Sequence, residues 1–301
     1  MSRSGGAASV NGTLRIGSRG SALALTQAEG VGAALGGAEV IAVQTADGAI
    51  GDKARFVRGI EQALLAGEVD LAVHSAKDLP GGRPDGLALA GVPSREDPSD
   101  AYIGGASSLA DVRRGARIGT ASLRRRSQLL AARPDLEVEE LRGNVDTRLR
   151  RLAEGGFDGI VLATAGLARL GRAGEIAFRF DPEQMTPAPG QGALAIEARA
   201  GDGEPAAAAA RISDRSALLE LTAERAAVAV LGASCETPVG ILARFGGEQL
   251  ALLGYAGLPD GSEWVRDRIS GDPEQPAALG EALAERMLAA GAGEILERAA
   301  R

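Results

Sequence analysis

Short, almost continuously apolar runs separated by helix-length segments set the limits on what this chain can fold into. Val69-Asp70-Leu71-Ala72-Val73-His74 and Gly159-Ile160-Val161-Leu162-Ala163 lack the in–out alternation of a half-exposed strand. Runs of this kind suit strands covered on both faces, as in parallel sheets flanked by helices. Ahead of the first run, Phe56, Val57, Ile60, Ala63 and Leu64 recur at helical spacing and Gly67 stops the helix. The alternation predicts an α/β chain with doubly wound sheets.

The pattern occurs twice. Strands are expected at Leu14 to Gly17, Glu39 to Gln44 and Val69 to His74, with helices between them. Pro93-Ser94-Arg95-Glu96-Asp97-Pro98 then reads as a hinge. Beyond it come strands at Arg117 to Thr120, Leu136 to Leu141 and Gly159 to Ala163, and helices at Ser122 to Ala132, Asn144 to Ala153 and Ala165 to Leu170. Thr186-Pro187-Ala188-Pro189-Gly190-Gln191-Gly192 breaks the series, and a strand from Ala193 to Glu197 can return the chain to the first sheet. A helix from Ser213 to Leu231, three strands and helix-forming sequence from Pro276 to Ala300 make a smaller α+β region. The division expected is a disordered tail (1–13), a first domain (14–95 with 193–212), a second (98–188) and a third (213–301). Two sheets joined by two crossings leave a cleft between them, and ligands of open α/β sheets bind past the carboxyl ends of the strands.

Charge narrows the ligand. The 301 residues hold 33 Lys and Arg against 40 Asp and Glu, a net charge of −7. An acidic chain is poorly suited to a nucleic-acid surface, and the short run Arg124-Arg125-Arg126 does not change that. Residues 1–13 contain no apolar segment of a signal peptide, and no run reaches the roughly 18 apolar residues of a membrane span. A single cysteine cannot form an internal disulfide, in keeping with a reducing cytoplasm. With one His and one Cys, a metal site has little support.

The rare residues are informative. Of the 33 basic residues 31 are arginine, and Lys53 and Lys77 are the only lysines. Arg19, Arg124, Arg125, Arg142, Arg148 and Arg169 all fall just past expected strand ends, where guanidinium forks can bind carboxylates bidentately. An arginine-rich composition alone would also scatter them. Asp78, after the third strand and beside Lys77, fits either a turn residue before Pro80 or a carboxylate that steadies a developing cation and handles protons. His74 reads first as a packed, hydrogen-bonded side chain. Cys235, in the loop Gly232-Ala233-Ser234-Cys235-Glu236-Thr237-Pro238, suits a small buried side chain or a modifiable thiol.

The assembled motifs resemble the porphobilinogen deaminase (hydroxymethylbilane synthase) family over nearly the whole chain. They are Leu14-Arg15-Ile16-Gly17-Ser18-Arg19-Gly20-Ser21, Val73-His74-Ser75-Ala76-Lys77-Asp78-Leu79-Pro80, Arg95-Glu96-Asp97-Pro98, Gly119-Thr120-Ala121-Ser122-Leu123-Arg124-Arg125, Leu141-Arg142-Gly143-Asn144-Val145-Asp146-Thr147-Arg148, Pro187-Ala188-Pro189-Gly190-Gln191-Gly192 and the Cys235 loop. The resemblance implies two lobes like those of periplasmic binding proteins and a third domain whose cysteine, here Cys235, holds a dipyrromethane cofactor through a thioether. It implies joining of four porphobilinogen molecules into a linear tetrapyrrole with loss of ammonia, as a step of tetrapyrrole (heme) biosynthesis by a cytoplasmic monomer.

Residue by residue, the resemblance makes Asp78 the catalytic carboxylate. Arg19, Ser21, Thr120, Ser122, Arg124, Arg125, Arg142, Gly143, Asn144, Arg148 and Arg169 would bind cofactor and substrate carboxylates, with Lys53 and Lys77 adding cations. Phe56 and Gln191 would contact the cofactor. Two departures stand out: the Gly-rich loop 46–55 is shorter than usual, with Lys53 matching the second of two lysines and Ala49 at the place of the first, and Ala233-Ser234 replaces a commoner Gly-Gly. The alternative, which the shortened loop favours, is a two-lobed binding or sensing protein for an anionic small molecule.

Overall fold

The computed structural model describes residues 13–43, 53–234 and 236–301, with the backbone alone of 53–56. The expected disordered tail up to residue 12, most of the 46–55 loop, the side chains of Lys53 and Phe56, and Cys235 lie outside the described residues.

The first apolar run becomes β3 of a five-stranded sheet. In chain order the first α/β unit comprises β1 (Leu14–Ser18), α1 (Ala22–Ala34), β2 (Ala38–Ala42), α2 (Lys53–Leu65), β3 (Leu71–Ser75), a 3₁₀ turn (Ala76–Asp78) and β4 (Leu87–Gly91). The second holds β5 (Asp100–Gly104), β6 (Arg117–Gly119), α3 (Leu123–Ala132), β7 (Glu137–Glu139), α4 (Val145–Ala153), β8 (Gly159–Ala163), α5 (Thr164–Arg169) and β9 (Phe178–Arg179). The chain then returns through β10 (Leu194–Arg199) and α6 (Gly203–Arg211). A C-terminal unit follows with α7 (Arg215–Leu231), β11 (Val239–Phe245), β12 (Leu250–Gly257), β13 (Trp264–Gly271), α8 (Pro276–Ala289) and α9 (Ala292–Ala299).

The sheet orders are β2-β1-β3-β10-β4, β7-β6-β8-β5-β9 and β11-β12-β13. Both large sheets are mixed. Parallel pairing is confined to β2-β1-β3 and β7-β6-β8, the strands joined by helices. β10 runs antiparallel to β3 and β4, and β5 antiparallel to β8 and β9, because these strands arrive from the other unit and need no crossover helix. The expected return strand at Ala193 to Glu197 is β10, set in the middle of the first sheet.

The apolar runs lie where burial on both faces requires them: Ile16, Leu71, Val73 and Ile196 pack against α1, while Ile160 and Leu162 pack with Leu141 and Leu149. The third sheet is covered by α7 and α8 through Ala223, Ala227, Ile241, Leu252, Leu283 and Met287. The expected helix over 276–300 divides at Ala290-Gly291. Among the described residues no helix is long and apolar enough to cross a membrane.

Candidate active site

Parallel pairing aligns the carboxyl ends of β1 and β3 at one edge of the first sheet, with Gly17 beside Ala72. Arg19 follows the first strand, and the 3₁₀ turn carrying Lys77 and Asp78 follows the second. The Arg19 guanidinium comes within 3.6 Å of the Asp78 carboxylate, whose side chain is 15% exposed. Ser21 precedes α1 in extended conformation, and its hydroxyl makes no capping bond to that helix.

Lys77 links this edge to the second unit. Its Nζ lies 3.4 Å from Gln191 Oε1, and Gln191 Nε2 donates to the Pro98 carbonyl at 2.7 Å and to Asp100 Oδ1 at 2.9 Å. Gln191 is therefore a buried bridge between the two chain crossings. The flanking glycines make the approach possible. A Cβ on Gly190 (φ +72°) would come within 2.8 Å of the Ala76 carbonyl carbon, and one on Gly192 (φ +87°) would collide with the Glu96 carbonyl.

In the second unit the structure places Arg124 and Arg125 on a partner that the sequence reading missed. Asp100, fully buried at the start of β5, accepts from Arg124 Nη1 at 2.7 Å and from Arg125 Nε and Nη2 at 2.9 and 2.7 Å. Arg124 also donates to the Thr186 carbonyl and Arg125 to that of Val161. Burial alone would raise the Asp100 pKa, but the two guanidiniums hold it well below the usual carboxylate range. Thr120 and Ser122 shape the turn into α3: Thr120 Oγ1 accepts from the Ser122 amide, and Ser122 Oγ caps the helix. Asn144 caps α4 in the same way through the Thr147 amide.

Two arginines differ from this pair. Arg148 donates to the Gly143 carbonyl, and Arg169 to that of Gly192. Among the described residues neither forms an ion pair. Burial, reinforced by the like charge of Arg125 and opposed by Asp78, pushes the Arg148 pKa down to about 10; burial also lowers that of Arg169. Such desolvated cations suit an anionic ligand, because each carboxylate brought to them offsets a desolvation cost already present. Arg142 differs again, being exposed and paired with Glu140 at 2.7 Å.

Other polar groups do structural work around this edge. His74 is a packed side chain, its Nε2 3.3 Å from the buried Glu197. Arg95, in the hinge, lies in a buried cluster with Glu220 and Glu224 of α7, at 3.0 and 2.7 Å, and donates to the Gln191 carbonyl. Glu224 also accepts from the Gly190 and Ala243 amides. This cluster ties both crossings to the C-terminal unit. Its signal in the sequence is two acids at i, i+4 on the buried stripe of a helix. α7 ends at Gly232, and beyond it the Ser234 and Thr237 hydroxyls knit a turn on either side of position 235. Among the described residues no cluster of His, Cys, Asp and Glu is arranged to hold a metal ion.

Residues 14–207 match the family model for the porphobilinogen deaminase dipyrromethane cofactor binding domain, and residues 218–289 match that for the porphobilinogen deaminase C-terminal domain. The chain belongs to the porphobilinogen deaminase family. The porphobilinogen deaminase of Roseiflexus castenholzii is 48% identical over 95% of this chain and 99% of its own. That of Syntrophus aciditrophicus is 44% identical over 94% of this chain and 98% of its own. Among solved structures, the substrate binding protein of an amino acid ABC transporter overlaps 67% of this chain and 91% of its own at 14% identity and a TM-score of 0.35. The protein is thus an enzyme of tetrapyrrole biosynthesis with porphobilinogen deaminase activity and a dipyrromethane cofactor. Family membership decides for the enzyme over the non-catalytic binding protein.

The residues present fit such a group: Arg148 and Arg169, cations whose pKa values burial lowers, would suit its carboxylates, and Asp78 lies within electrostatic reach of Arg148.

Proposed function

We propose that Cys235 anchors the dipyrromethane and that the edge formed by Arg19, Lys77, Asp78, Arg148 and Arg169 is where porphobilinogen is joined to it. When bound, the cofactor would supply the free pyrrole α-carbon that the first substrate alkylates, each later substrate joining the ring added before it. The observation that carries this reading is the placement of Asp78. One carboxylate stands among several cations, within 3.6 Å of Arg19 and within electrostatic reach of Arg148.

The roles divide by charge. Arg148 and Arg169, which form no ion pair among the described residues, take acetate and propionate groups, with Arg19, Lys77 and Ser21 contributing from the first α/β unit. Lys53 adds a cation and Phe56 an aromatic contact from α2. Arg142 contributes from the exposed rim, where Gly143 and Asn144 set the turn into α4. Arg124 and Arg125, held by Asp100, supply positive potential from beneath, and Thr120, Ser122 and Gln191 keep them in place. Asp78 then faces the pyrrole N–H groups. It stabilises the positive charge that develops as ammonia leaves and takes up the proton released when the new carbon–carbon bond is complete. We further assign a cytoplasmic monomer of three domains (14–95 with 193–212, 98–188 and 213–301).

Two measurements test the assignment together. Intact mass of the purified protein should carry a dipyrrole increment that Cys235→Ala abolishes; an unmodified wild-type thiol would refute the anchor. Turnover of porphobilinogen in Asp78→Ala should fall by about two to four orders of magnitude, and a rate near wild type would remove the catalytic role.

A further inference from the structure

Arg225 uses its guanidinium in an unusual way. It lies half-buried on α7, and its Nη2 donates to two consecutive backbone carbonyls, Pro80 at 2.9 Å and Gly81 at 3.1 Å. Among the described residues it forms no ion pair. Burial and the like charge of Arg83 lower its pKa, so the side chain is held there against an electrostatic cost. The carbonyls it grips begin two residues after Asp78.

The same segment is held from its other end. Arg83 Nε donates to Glu197 Oε1 at 2.8 Å, and Glu197, 1% exposed on β10, also meets His74 of β3. The residue before Arg225 acts on the near side of the turn: Glu224 accepts the Gly190 amide, and Gly190 packs against the Ala76 and Lys77 backbone. Successive residues of α7 thus brace the Asp78 turn from before and behind. From Arg225 the helix runs six residues on to Leu231, roughly 9 Å, and hands the chain to the Cys235 loop.

We propose that Arg225 is a positioning residue for the deaminase reaction, keeping the Asp78 turn in register with the helix that leads to Cys235. This rests on the assignment of Asp78 and Cys235 made above. Arg225 acts through the backbone of residues 80 and 81 and touches no reacting group. Proton handling and charge stabilisation depend on placement to within about 1 Å, so a turn released at one end loses rate and leaves carboxylate recognition by Arg148 and Arg169 intact.

The test is a double-mutant cycle in holoenzyme whose dipyrrole increment has been verified by mass. Arg225→Gln should lower kcat by about 30-fold while KM for porphobilinogen moves less than about threefold, and Arg225→Lys, which keeps a donor, should recover part of the loss. In an Asp78→Asn background, followed by single-turnover kinetics, Arg225→Gln should cost less than about threefold, because the group it places is already gone. A full multiplicative loss in that background, a rise in KM that matches the loss in kcat, or an unchanged kcat would overturn the proposal. If Arg225→Gln does not fold, Arg225→Lys is carried through the same cycle. An Asp78→Asn enzyme as fast as wild type would overturn the Asp78 assignment and this proposal together; a slowed one in which Arg225→Gln costs its full factor again overturns the proposal alone.

Discussion

Asp100 shows how one carboxylate can set the electrostatics of a whole unit. It pairs with two buried guanidiniums and accepts from Gln191, so removing its charge strands Arg124 and Arg125 in a low-dielectric interior. Asp100→Asn should therefore destabilise by about 3–5 kcal/mol, the scale for breaking a buried pair from one side. Urea unfolding reads this as a lower midpoint at unchanged slope; a loss below about 1 kcal/mol would mean that the arginines find other partners. Both arginines were legible from the sequence as residues past a strand end, but their partner was not. Asp100 opens a strand whose apolar centre is only Ala101-Tyr102-Ile103, and it follows a polar, proline-marked hinge that conceals its start. Arg148 and Arg169 look like Arg124 and Arg125 in sequence. Only the fold, by pairing Arg124 and Arg125 with Asp100 while Arg148 and Arg169 form no ion pair among the described residues, separates the two kinds.

At the scale of elements, what the sequence revealed follows from burial. Strands covered on both faces announce themselves by unbroken apolar runs, and β3 and β8 do so. Others have no such signal: β9 is two residues long, and α6 is a stretch of alanines whose buried face, Pro205, Ala208 and Ala209, is barely distinct in residue type from its exposed one. The second crossing is intermediate. Its Pro-Gly character marks it as irregular, yet only the structure shows that Gly190 and Gly192 are needed for close backbone packing at positive φ. Gly192→Ala places a Cβ against the Glu96 carbonyl and strains the backbone besides, so it should cost about 1–3 kcal/mol or more. Gly81→Ala, in open space, is the control and should change stability by less than about 0.5 kcal/mol. Equal thermal midpoints for the two variants would show that the crossing yields.

Over the whole molecule, acidic net charge and cationic interior are complementary, and pH separates them. Asp70 is held by Arg15, Asp100 by Arg124 and Arg125, and Glu197 by His74 and Arg83. Each titrates below its ordinary value in spite of burial that pulls the other way. Asp135, paired with Arg133, comes down to about 2. A carboxylate whose folded pKa is depressed binds its proton more weakly in the native than in the unfolded chain. The stability it contributes is present above the unfolded value of roughly 4 and is lost as pH falls toward the folded one. These groups lie in both α/β units, and Asp100 also accepts from Gln191, which bridges the chain crossings. The urea midpoint should accordingly stay nearly level from pH 8 to about 5 and fall steeply below about 4, as protonation begins to release the paired guanidiniums. In Asp100→Asn that acid-side decline should be shallower, because one of its largest sources is already gone. A midpoint that falls equally steeply in both proteins would assign the acid sensitivity to other carboxylates.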